Sequence, residues 1–554
     1  MADIPDEAAP ASAVPHAREA QMFPRLDAAT IDRLCGYGTV ETPAVGSLLF
    51  ERGTRGADFF VVLDGAIDLF DGSGEHASFR AYLPGQFAGE LHLFNDRALL
   101  ITGRAAAGTR LLRIARQDFR RMVSTEADIG ETIMRAFILR RVDLIATGLG
   151  GVTVVGSARA PDTHRVRAFL SRNAHPYRML DLDSEPEAAN ALAGFAIEPG
   201  DLPVVLLDDG TTLRNPSSDA LAAALGFDEA GNPDHIYDLA VVGGGPAGLS
   251  AAVYAASEGL STVVVEREAP GGQAGTSSRI ENYLGFPTGI SGAALAGRAQ
   301  VQAQKFGTRF AISRRAAELD CSERPFRLRL DGGETIVARA IVVATGARYR
   351  KLSLPGYDRL EGRGVYYAAT PMEAQLCAGQ EVVVVGGGNS AGQAAVFLSQ
   401  AARHVHILVR SSGLAATMSD YLVQRIENSP AITLHVHSEV TAVEGEAFLT
   451  EIEWTDSRDG MATRIAAGGL FVMIGADPNT DWLGDCLPLD DKGFIITGGP
   501  AAHGLTPFAT PIPGLFAVGD VRSGSVKRVA SGVGEGSVVI SAVHAYLAEA
   551  IVAP

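Results

Sequence analysis

The chain of 554 residues carries 47 lysines and arginines against 64 aspartates and glutamates, which gives a net charge of −17 at pH 7. A chain of this length exceeds what one hydrophobic core supports, so several domains are expected. The acidic balance, with no basic face in the sequence to offset it, excludes nucleic acid and anionic membranes from the expected partners.

The N-terminal segment and the cysteines bear on cellular location. Residues 1–19 lack a basic segment and an apolar stretch, which predicts a disordered tail and not a signal peptide, and no apolar segment of spanning length follows. Cys35, Cys321, Cys377 and Cys486 are far apart and form neither a CxxC redox pair nor a zinc-binding spacing. We therefore expect a cytoplasmic protein with reduced thiols.

Residues 20–147 are predicted to form short strands punctuated by glycine, followed by a helix near 127–146. The segments GADFFVVLDGAIDLF and GQFAGELHLF resemble a cyclic-nucleotide-binding domain of the catabolite-activator type. The next run, VTVVGS, is a predicted strand, so no helix-turn-helix for DNA reading follows.

The resemblance implies a ligand site at the turn formed by Gly89, Glu90 and Leu91, with the glutamate on the ribose and an arginine nine residues later on the cyclic phosphate. That later position is Leu99 here, with arginines only at nearby positions 97 and 104. The alternative is that the carboxylate of Glu90 caps its own turn. A cyclic-nucleotide-like ligand is therefore a candidate partner.

Residues 152–228 alternate predicted strands and helices in an order that resembles a glutaredoxin or thioredoxin fold. The resemblance implies a cis peptide bond before Pro203 and a redox pair at the start of the first helix. At that place the sequence reads APDT from 160 to 163, with Asp162 as a candidate helix N-cap. Without a thiol this module cannot exchange disulfides, so we expect an adaptor that packs or recruits.

The stretch from Tyr237 to Glu266 carries the clearest motif of the chain. Two apolar runs bracket a GxGxxG turn and a helix of small residues, which is typical of a dinucleotide-binding βαβ unit. Gly243 permits the tight turn, Gly245 lets the backbone approach a pyrophosphate, and Gly248 lets helix and strand pack closely. The carboxylate of Glu266 ends the second strand, where it can accept hydrogen bonds from a ribose.

From residue 236 onward the chain resembles a low-molecular-weight thioredoxin reductase, on the motifs PGGQ, IENYLGFP, ATGA and PGLFAVGD, followed by KRVASGVGEGSVV. The resemblance implies FAD as cofactor, a homodimer, and a last helix whose N-terminus points at the flavin. The implied FAD-binding residues are Gly243, Gly245, Gly248, Glu266, Gly272, Gln273, Asn282, Ala344, Thr345, Gly346, Gly519, Asp520, Arg528, Val529 and Ala530.

A second fingerprint, EVVVVGGGNSAGQAAVFL, lies between the two halves of the FAD unit. Its second strand ends at Arg410, where an NAD site usually carries an acidic residue. An arginine at this position favours the 2′-phosphate of NADPH, so NADPH is expected as the donor and NADH is the alternative. The residues implied at this site are Gly386, Gly388, Asn389, Ser390, Ala391, Arg410 and Ser411.

The flavin-facing disulfide of the resembled family has no counterpart in this sequence. Ala368 and Pro371 stand at the two cysteine positions, so electrons cannot pass onward through that dithiol. Cys377 lies close by, and we interpret it as a small buried residue because it has no resolving partner. No metal is expected, since the pairs His404 with His406 and His435 with His437 lack the carboxylate or cysteine company of a metal site.

The sequence thus predicts a multidomain α/β protein with an N-terminal β-roll, a thioredoxin-like domain and two Rossmann-like nucleotide-binding domains. Its predicted function is FAD-dependent NAD(P)H oxidation with an unknown electron acceptor, protein or small molecule. The alternatives are a ligand- and redox-sensing signalling protein, and the thioredoxin reductase that similarity suggests. The predicted ranges are a tail at 1–19 and domains at 20–147, 152–228, 234–350 with 480–554 for FAD, and 351–479 for NAD(P)H.

Overall fold

The structure is a computed structural model of the chain. It describes residues 15–552 except 72–77, 96, 186, 187, 189–191, 193–196, 208, 230–234, 278, 279, 281, 282, 368, 370 and 499–505. Residues 1–14 of the predicted tail lie outside these residues, whereas 15–19 form the start of a helix that runs from Pro15 to Met22. We also expect a helix near 186–194 in the thioredoxin-like module, and most of that range lies outside the described residues. No helix of the described part is long and apolar enough to cross a membrane.

In the N-terminal module, two antiparallel sheets pack against each other, and helices pack against the outer face of one of these sheets. Its elements are α1 (Pro15–Met22), α2 (Ala28–Cys35), β1 (Thr39–Glu41), β2 (Leu48–Phe50), β3 (Phe59–Asp64), β4 (Ile67–Phe70), β5 (Arg80–Tyr82), β6 (Phe87–Ala88), β7 (Thr102–Ala105), β8 (Arg110–Ile114), α3 (Arg116–Thr125) and α4 (Ala127–Thr147). The sheet orders are β1-β8-β3-β6 and β2-β7-β4-β5. Side chains alternate along β3, so Phe59 packs toward α3 and α4 while Phe60 packs between the sheets.

The thioredoxin-like module follows directly. It consists of β9 (Val152–Gly156), α5 (Pro161–Arg172), β10 (Tyr177–Asp181), β11 (Val204–Leu206), β12 (Thr212–Arg214) and α6 (Ser218–Leu225). The sheet order is β10-β9-β11-β12, with β9 and β10 parallel. The bond between Leu202 and Pro203 is cis, which confirms the prediction made from the resemblance. Asp162 is not the N-cap, because the helix already begins at Pro161 and its N-cap residue is Ala160.

The first nucleotide-binding unit is built on a mixed sheet of parallel and antiparallel strands. Its elements are β13 (Ile236–Val242), α7 (Pro246–Ser257), β14 (Thr262–Glu266), α8 (Gly292–Lys305), β15 (Arg309–Ile312), β16 (Ala316–Asp320), β17 (Phe326–Leu330), β18 (Thr335–Val343) and, after the second unit, a strand at Leu515–Ala517 and a helix at Val529–Val552. The order is β15-β14-β13-β18-β17-β16, and the late strand pairs with β18. Strands β15, β14, β13, β18 and the late strand are parallel, and β16 and β17 form antiparallel pairs at one edge. Buried apolar residues point to both faces of β13, as expected for a central parallel strand.

The second unit is inserted between β18 and that late strand. Its elements are β19 (Ala347–Tyr349), β20 (Val365–Tyr366), α9 (Pro371–Leu376), β21 (Glu381–Val385), α10 (Asn389–Leu398), β22 (His404–Leu408), α11 (Asp420–Glu427), β23 (Ile432–His435), β24 (Ser438–Glu444), β25 (Glu451–Asp456), β26 (Ala462–Ala466), β27 (Gly469–Val472) and β28 (Ala476–Pro478). The parallel order is β20-β27-β21-β22-β23. The late strand is therefore β29 and the last helix α12. The predicted fold class is confirmed, while the residue boundaries of the domains stay predictions.

The prediction that every cysteine is a reduced thiol is wrong. Cys321 and Cys486 form a disulfide with a Cα–Cα distance of 6.2 Å across 165 residues of sequence. Cys321 directly follows β16, and Cys486 packs against the same apolar cluster of the first unit. The disulfide therefore links the edge of the FAD-type sheet to the segment that returns from the second unit.

We expect loss of this disulfide to destabilise the protein. A bond that closes a loop of this length restricts the unfolded chain, and removing a native disulfide costs about 2–5 kcal/mol. Urea denaturation of the variant carrying Cys321→Ser and Cys486→Ser should show a free energy of unfolding lower by about that amount. The exposed Cys35→Ser is the control, and equal stability of all three proteins would contradict the expectation.

Candidate functional site

A cavity of about 1110 Å³ opens at the carboxyl ends of the parallel strands β13, β14 and β18. Ligands bind at this edge in open α/β sheets. Most of the residues predicted to bind FAD line it together: Gly243, Gly245, Glu266, Gly272, Gln273, Ala344, Thr345, Gly346, Gly519, Asp520, Arg528 and Val529. Ala530 does not line the cavity, and Asn282 lies outside the described residues.

The first fingerprint shapes the floor of this cavity. A Cβ atom on Gly243 would lie 2.3 Å from the carbonyl oxygen of Ala344, and one on Gly248 would lie 1.9 Å from the carbonyl oxygen of Gly243. Gly245 differs, because a Cβ atom there meets no protein atom within 4 Å. Its backbone faces open space at the N-terminus of α7, where amide groups and the helix dipole favour an anion.

Glu266 is held at the end of β14 by the backbone. Its Oε2 accepts a hydrogen bond of 2.7 Å from the amide of Gly244, and its Oε1 accepts one of 2.9 Å from the amide of Glu268. Burial raises the pKa of this carboxyl group above its usual value. A buried carboxylate fixed in this way can accept hydrogen bonds from a ribose, so the residues fit an adenine dinucleotide.

The C-terminal motif brings a second helix N-terminus to the cavity. Arg528 and Val529 line it where α12 begins, beside Asp520, whose pKa is raised by burial. Glu535 fixes the turn between them, since its Oε2 accepts a hydrogen bond of 2.6 Å from the amide of Gly519. Two helix N-termini thus face one cavity, which suits a cofactor with a negatively charged centre.

The thioredoxin-like module supplies a wall that sequence reasoning missed. His164, Arg167 and Arg172 from α5 line the cavity. Arg172 donates a hydrogen bond of 2.6 Å from Nη1 to Oε2 of Glu268, two residues beyond Glu266. The opposite wall comes from the second unit and includes Tyr366, Tyr367 and Glu373. Amphipathic helix α5 gave no sequence signal for this placement, because the face it presents depends on how the modules dock.

The second fingerprint has the same local geometry but lies apart from the large cavity. A Cβ atom on Gly386 would lie 2.3 Å from the carbonyl oxygen of Met473, whereas one on Gly388 meets nothing within 4 Å. Ala391 is buried, and Oδ1 of Asn389 accepts a hydrogen bond of 2.8 Å from the amide of Ser419. These residues fit a second dinucleotide at the N-terminus of α10.

Three exposed residues complete the predicted nicotinamide-nucleotide site. The side chain of Arg410 is 81% exposed, with its Nε 3.7 Å from Oε1 of Glu439. Ser390 is exposed at the start of α10, and the hydroxyl of Ser411 donates a hydrogen bond of 2.8 Å to the carbonyl oxygen of Gly413. The guanidinium of Arg410 is thus open to an anionic group.

No cysteine of the described chain lines the large cavity. Cys377 is buried beyond α9, and burial raises the pKa of its thiol to about 12, with Glu373 contributing. Its Sγ donates a weak hydrogen bond of 3.6 Å to the carbonyl oxygen of Gly468. Pro371 begins α9, and Ala368 lies outside the described residues. A neutral, buried thiol is unreactive toward disulfides.

One histidine of each pair contacts one of the other pair across the adjacent strands β22 and β23. Nδ1 of His406 and Nε2 of His435 are 3.0 Å apart, and Nε2 of His406 lies 3.3 Å from Oε2 of Glu381. His404 contacts the hydroxyl of Thr433 instead, at 2.7 Å. In the described part of the chain, no group of three or more His, Cys, Asp or Glu side chains has an arrangement that could hold a metal ion.

The residues of the turn predicted to bind a cyclic nucleotide contact other residues of the N-terminal module. Glu90 is buried, and its Oε1 lies 2.8 Å from Nε of Arg141 on α4. The alternative prediction that Glu90 caps its own turn is wrong, since its side chain makes no capping hydrogen bond. Gly89 adopts φ +155°, and Leu91 is buried in the apolar core beside it.

Arg97, a neighbour of the expected phosphate-binding position, faces the other modules. Its Nη1 donates a hydrogen bond of 3.3 Å to the carbonyl oxygen of Asn173, and its guanidinium lies 4.4 Å from the ring centre of Phe227. Nδ2 of Asn173 in turn donates one of 3.2 Å to the carbonyl oxygen of Glu268. Burial lowers the pKa of Arg97 to about 10. Polar contacts therefore run from the N-terminal module to the residues beside Glu266.

His175 lies in the same interface and should make stability depend on pH. Burial, with Arg141 and Arg97 nearby, lowers its pKa to about 3, so the unfolded chain binds an extra proton between that value and about 6.5. Stability is fully present above pH 6.5 and falls on acidification, by up to about 1.4 kcal/mol per pH unit. Thermal unfolding from pH 8 to pH 5 should show a shallower loss for His175→Phe than for the wild type. The exposed His235→Phe is the control, and identical slopes for all three proteins would contradict this assignment.

Comparison with known proteins finds two family matches. Residues 237–536 match the family described as pyridine nucleotide-disulphide oxidoreductase, which is more than half of the chain. Residues 44–126 match the cyclic nucleotide-binding domain.

Individual relatives cover the C-terminal part. A thioredoxin reductase of Mycolicibacterium smegmatis is 33% identical over 316 residues, 57% of this chain and 97% of the relative. One of Bacillus subtilis is 32% identical, over 57% of this chain and 96% of the relative. Among solved structures, thioredoxin reductases of Lactococcus lactis and T. acidophilum each give a TM-score of 0.52 at 28% identity, over 56% and 57% of this chain and 99% and 100% of theirs.

Proposed function

We propose that this member of the pyridine nucleotide-disulphide oxidoreductase family oxidises NADPH for an acceptor other than thioredoxin. The chain belongs to that family and joins an FAD-dependent, thioredoxin-reductase-like enzyme to a cyclic nucleotide-binding domain. The observation that carries the proposal is the large cavity, which most of the predicted FAD residues line and which no cysteine of the described chain lines. Ala368 and Pro371 replace the family's cysteines.

Each part of the cavity has a proposed role toward the cofactor. Bound FAD would accept a hydride from the nicotinamide and pass electrons to the acceptor. The amides around Gly245 at the start of α7 would hold the pyrophosphate, and the carboxylate of Glu266 would accept hydrogen bonds from the ribose. The N-terminus of α12 at Val529 would lie against the flavin and favour negative charge there.

NADPH is the proposed electron donor, with Arg410 holding its 2′-phosphate. Charge-assisted hydrogen bonds of this kind contribute about 1.5–3 kcal/mol. The exposed guanidinium, with Glu439 no nearer than 3.7 Å, supports this role. NADH is the alternative, because the serine at 411 offers no second positive charge.

The test is anaerobic stopped flow of the yellow protein with NADPH and separately with NADH. We expect rapid bleaching with NADPH, and an Arg410→Ala variant that loses about tenfold or more in kcat/KM for NADPH but not for NADH. A colourless protein that does not bind FAD would overturn the proposal. An equal loss of kcat/KM for NADPH and for NADH in Arg410→Ala would show that Arg410 does not recognise the 2′-phosphate. Adding air, ferredoxin or small oxidants to the reduced protein then identifies the acceptor by the return of colour.

A second candidate is a sensing protein whose N-terminal module changes the reductase body. The contacts from Arg97 through Asn173 to Glu268 favour it, because they join the N-terminal module to the first nucleotide-binding unit. On this proposal a ligand of the N-terminal module alters the rate of NADPH oxidation. We also propose a cytoplasmic homodimer, which light scattering would check.

A further inference from the structure

The N-terminal module contains its own cavity, with a volume of about 170 Å³. Apolar side chains dominate its walls, among them Phe50, Leu69, Phe79 and Tyr82. A cavity of about 150 Å³ lined by apolar residues accommodates benzene. The space therefore suits one aromatic ring.

The residues that would recognise a cyclic nucleotide are not available in this cavity. The carboxylate of Glu90 is paired with Arg141 at 2.8 Å. Leu99 stands where the phosphate-binding arginine is expected, is buried, and lines the cavity wall. Arg97 points to Asn173 and Phe227, away from the cavity lining.

A buried positive charge faces the same cavity. Arg140 on α4 is only 5% exposed, and its Nε and Nη1 donate hydrogen bonds to the carbonyl oxygens of Met22, Phe87 and Gly89 at 2.8, 3.1 and 3.2 Å. Within the described chain, no carboxylate lies within 4.0 Å of this guanidinium and its Nη2 has no partner. Aromatic rings around it offset part of the cost of burial but accept no such bond. The carboxylate of Glu90 acts on this charge but is paired with Arg141, so the open Nη2 of Arg140 favours an anion that can accept its hydrogen bond.

His92 faces the cavity as well. It is 6% exposed, and in the part of the chain that the structure describes neither ring nitrogen has a hydrogen-bond partner. Nδ1 lies 3.8 Å from Oε2 of Glu90, beyond hydrogen-bond distance. Buried imidazole groups are normally satisfied, so this ring and the Nη2 of Arg140 mark two open positions for a ligand.

We propose that this cavity binds a single-ring aromatic carboxylate. Its ring would pack on Tyr82 and the neighbouring apolar side chains, and its carboxylate would accept hydrogen bonds from Nη2 of Arg140 and from His92. The further step, that this ligand regulates NADPH oxidation, rests on the proposed function. Coupling would run through α4, because Arg141 follows Arg140 directly and holds Glu90.

The test is calorimetric titration of the full-length flavoprotein with benzoate, the simplest member of the class. We expect one saturable site with Kd below about 1 mM, at least about tenfold weaker binding of benzyl alcohol and of acetate, and no binding of cyclic AMP. No saturable benzoate binding, equal binding of acetate, or tight binding of cyclic AMP would each overturn the proposal.

Variants separate the two polar contacts from the fold. His92→Phe breaks no hydrogen bond in the described structure and should weaken benzoate about tenfold, as should Arg140→Met. Because Arg140 also anchors three carbonyl groups, far-ultraviolet circular dichroism must show that the variant is folded. Arg135→Met on the exposed face of α4 is the matched control and should bind normally. Unchanged affinity in folded His92→Phe and Arg140→Met would overturn the assignment.

The regulatory step is tested separately by flavin bleaching with and without saturating benzoate. A changed rate supports it. If benzoate binds and the rate of flavin bleaching is unchanged, the binding site is supported and its regulatory role is overturned. If benzoate binds to a protein that contains no flavin, the binding site is supported and the proposed enzyme function is overturned.

Discussion

The Gly245→Ala variant is expected to fold normally and to lose its flavin. The backbone at this position has φ −71° and ψ −178°, which any residue adopts, and a Cβ atom there meets no protein atom within 4 Å. The same position lines the large cavity at the start of α7. An added methyl group would therefore occupy only the space that a pyrophosphate needs, and FAD should bind at least about tenfold more weakly.

Gly248→Ala should act in a different way. Its Cβ atom would lie 1.9 Å from the carbonyl oxygen of Gly243, so α7 and β13 must move apart. We expect a lower unfolding temperature together with loss of flavin. The two variants thus separate a cofactor contact from a packing contact within one motif.

The measurements are the ratio of flavin to protein absorbance after purification, titration of the stripped protein with FAD, and thermal unfolding. Gly297→Ala is the matched control, since it lies inside α8, away from the cavity lining, and its Cβ atom also meets nothing within 4 Å. It should keep both flavin and stability. Full flavin content in Gly245→Ala would contradict the placement of the pyrophosphate.

The nucleotide-binding units could be predicted because their signals are local. Close packing between Gly248 and Gly243, and the carboxylate of Glu266 at a strand end, follow from steps of a few residues along one βαβ unit. The cis bond at Pro203 was predicted from the resemblance to the glutaredoxin or thioredoxin fold. In each case the residues that touch are near neighbours in the sequence or part of one recurring motif.

The rest depends on contacts between distant segments. The disulfide joins Cys321 to Cys486 across 165 residues, and no spacing rule reveals such a pair. Helix α5 has no sequence feature that places it on the large cavity, and nothing in the sequence indicates that the carboxylate of Glu90 pairs with Arg141 on α4. These contacts depend on how the modules pack against one another, and no local pattern in a single sequence indicates that packing.

The second large effect concerns disulfide substrates: with NADPH and thioredoxin, this chain should reduce insulin disulfides at a rate indistinguishable from a blank. Reduction of a protein disulfide by thiol–disulfide exchange requires a thiolate that attacks one of its sulfur atoms. Cys377 is buried with a raised pKa, and the cavity lining has no cysteine in the described chain.

The Cys321–Cys486 disulfide does not change that expectation. Neither Cys321 nor Cys486 lines the cavity. Cys321 lies about 16 Å along β16 from the lining residue Ala316, at 3.3 Å per residue, while Trp482, four residues before Cys486, does line the cavity, so the variants below test this expectation directly. In the double variant Cys321→Ser with Cys486→Ser, and in Cys377→Ser, NADPH should bleach the flavin at the wild-type rate. A Bacillus subtilis thioredoxin reductase serves as the active control in the insulin assay. Insulin reduction by the wild type that disappears in the double variant would make this disulfide a relay and would require the modules to rearrange during turnover. Its absence in every variant would leave the acceptor to be sought among molecules that reach the flavin directly, past α5 and the wall formed by Tyr366 and Tyr367.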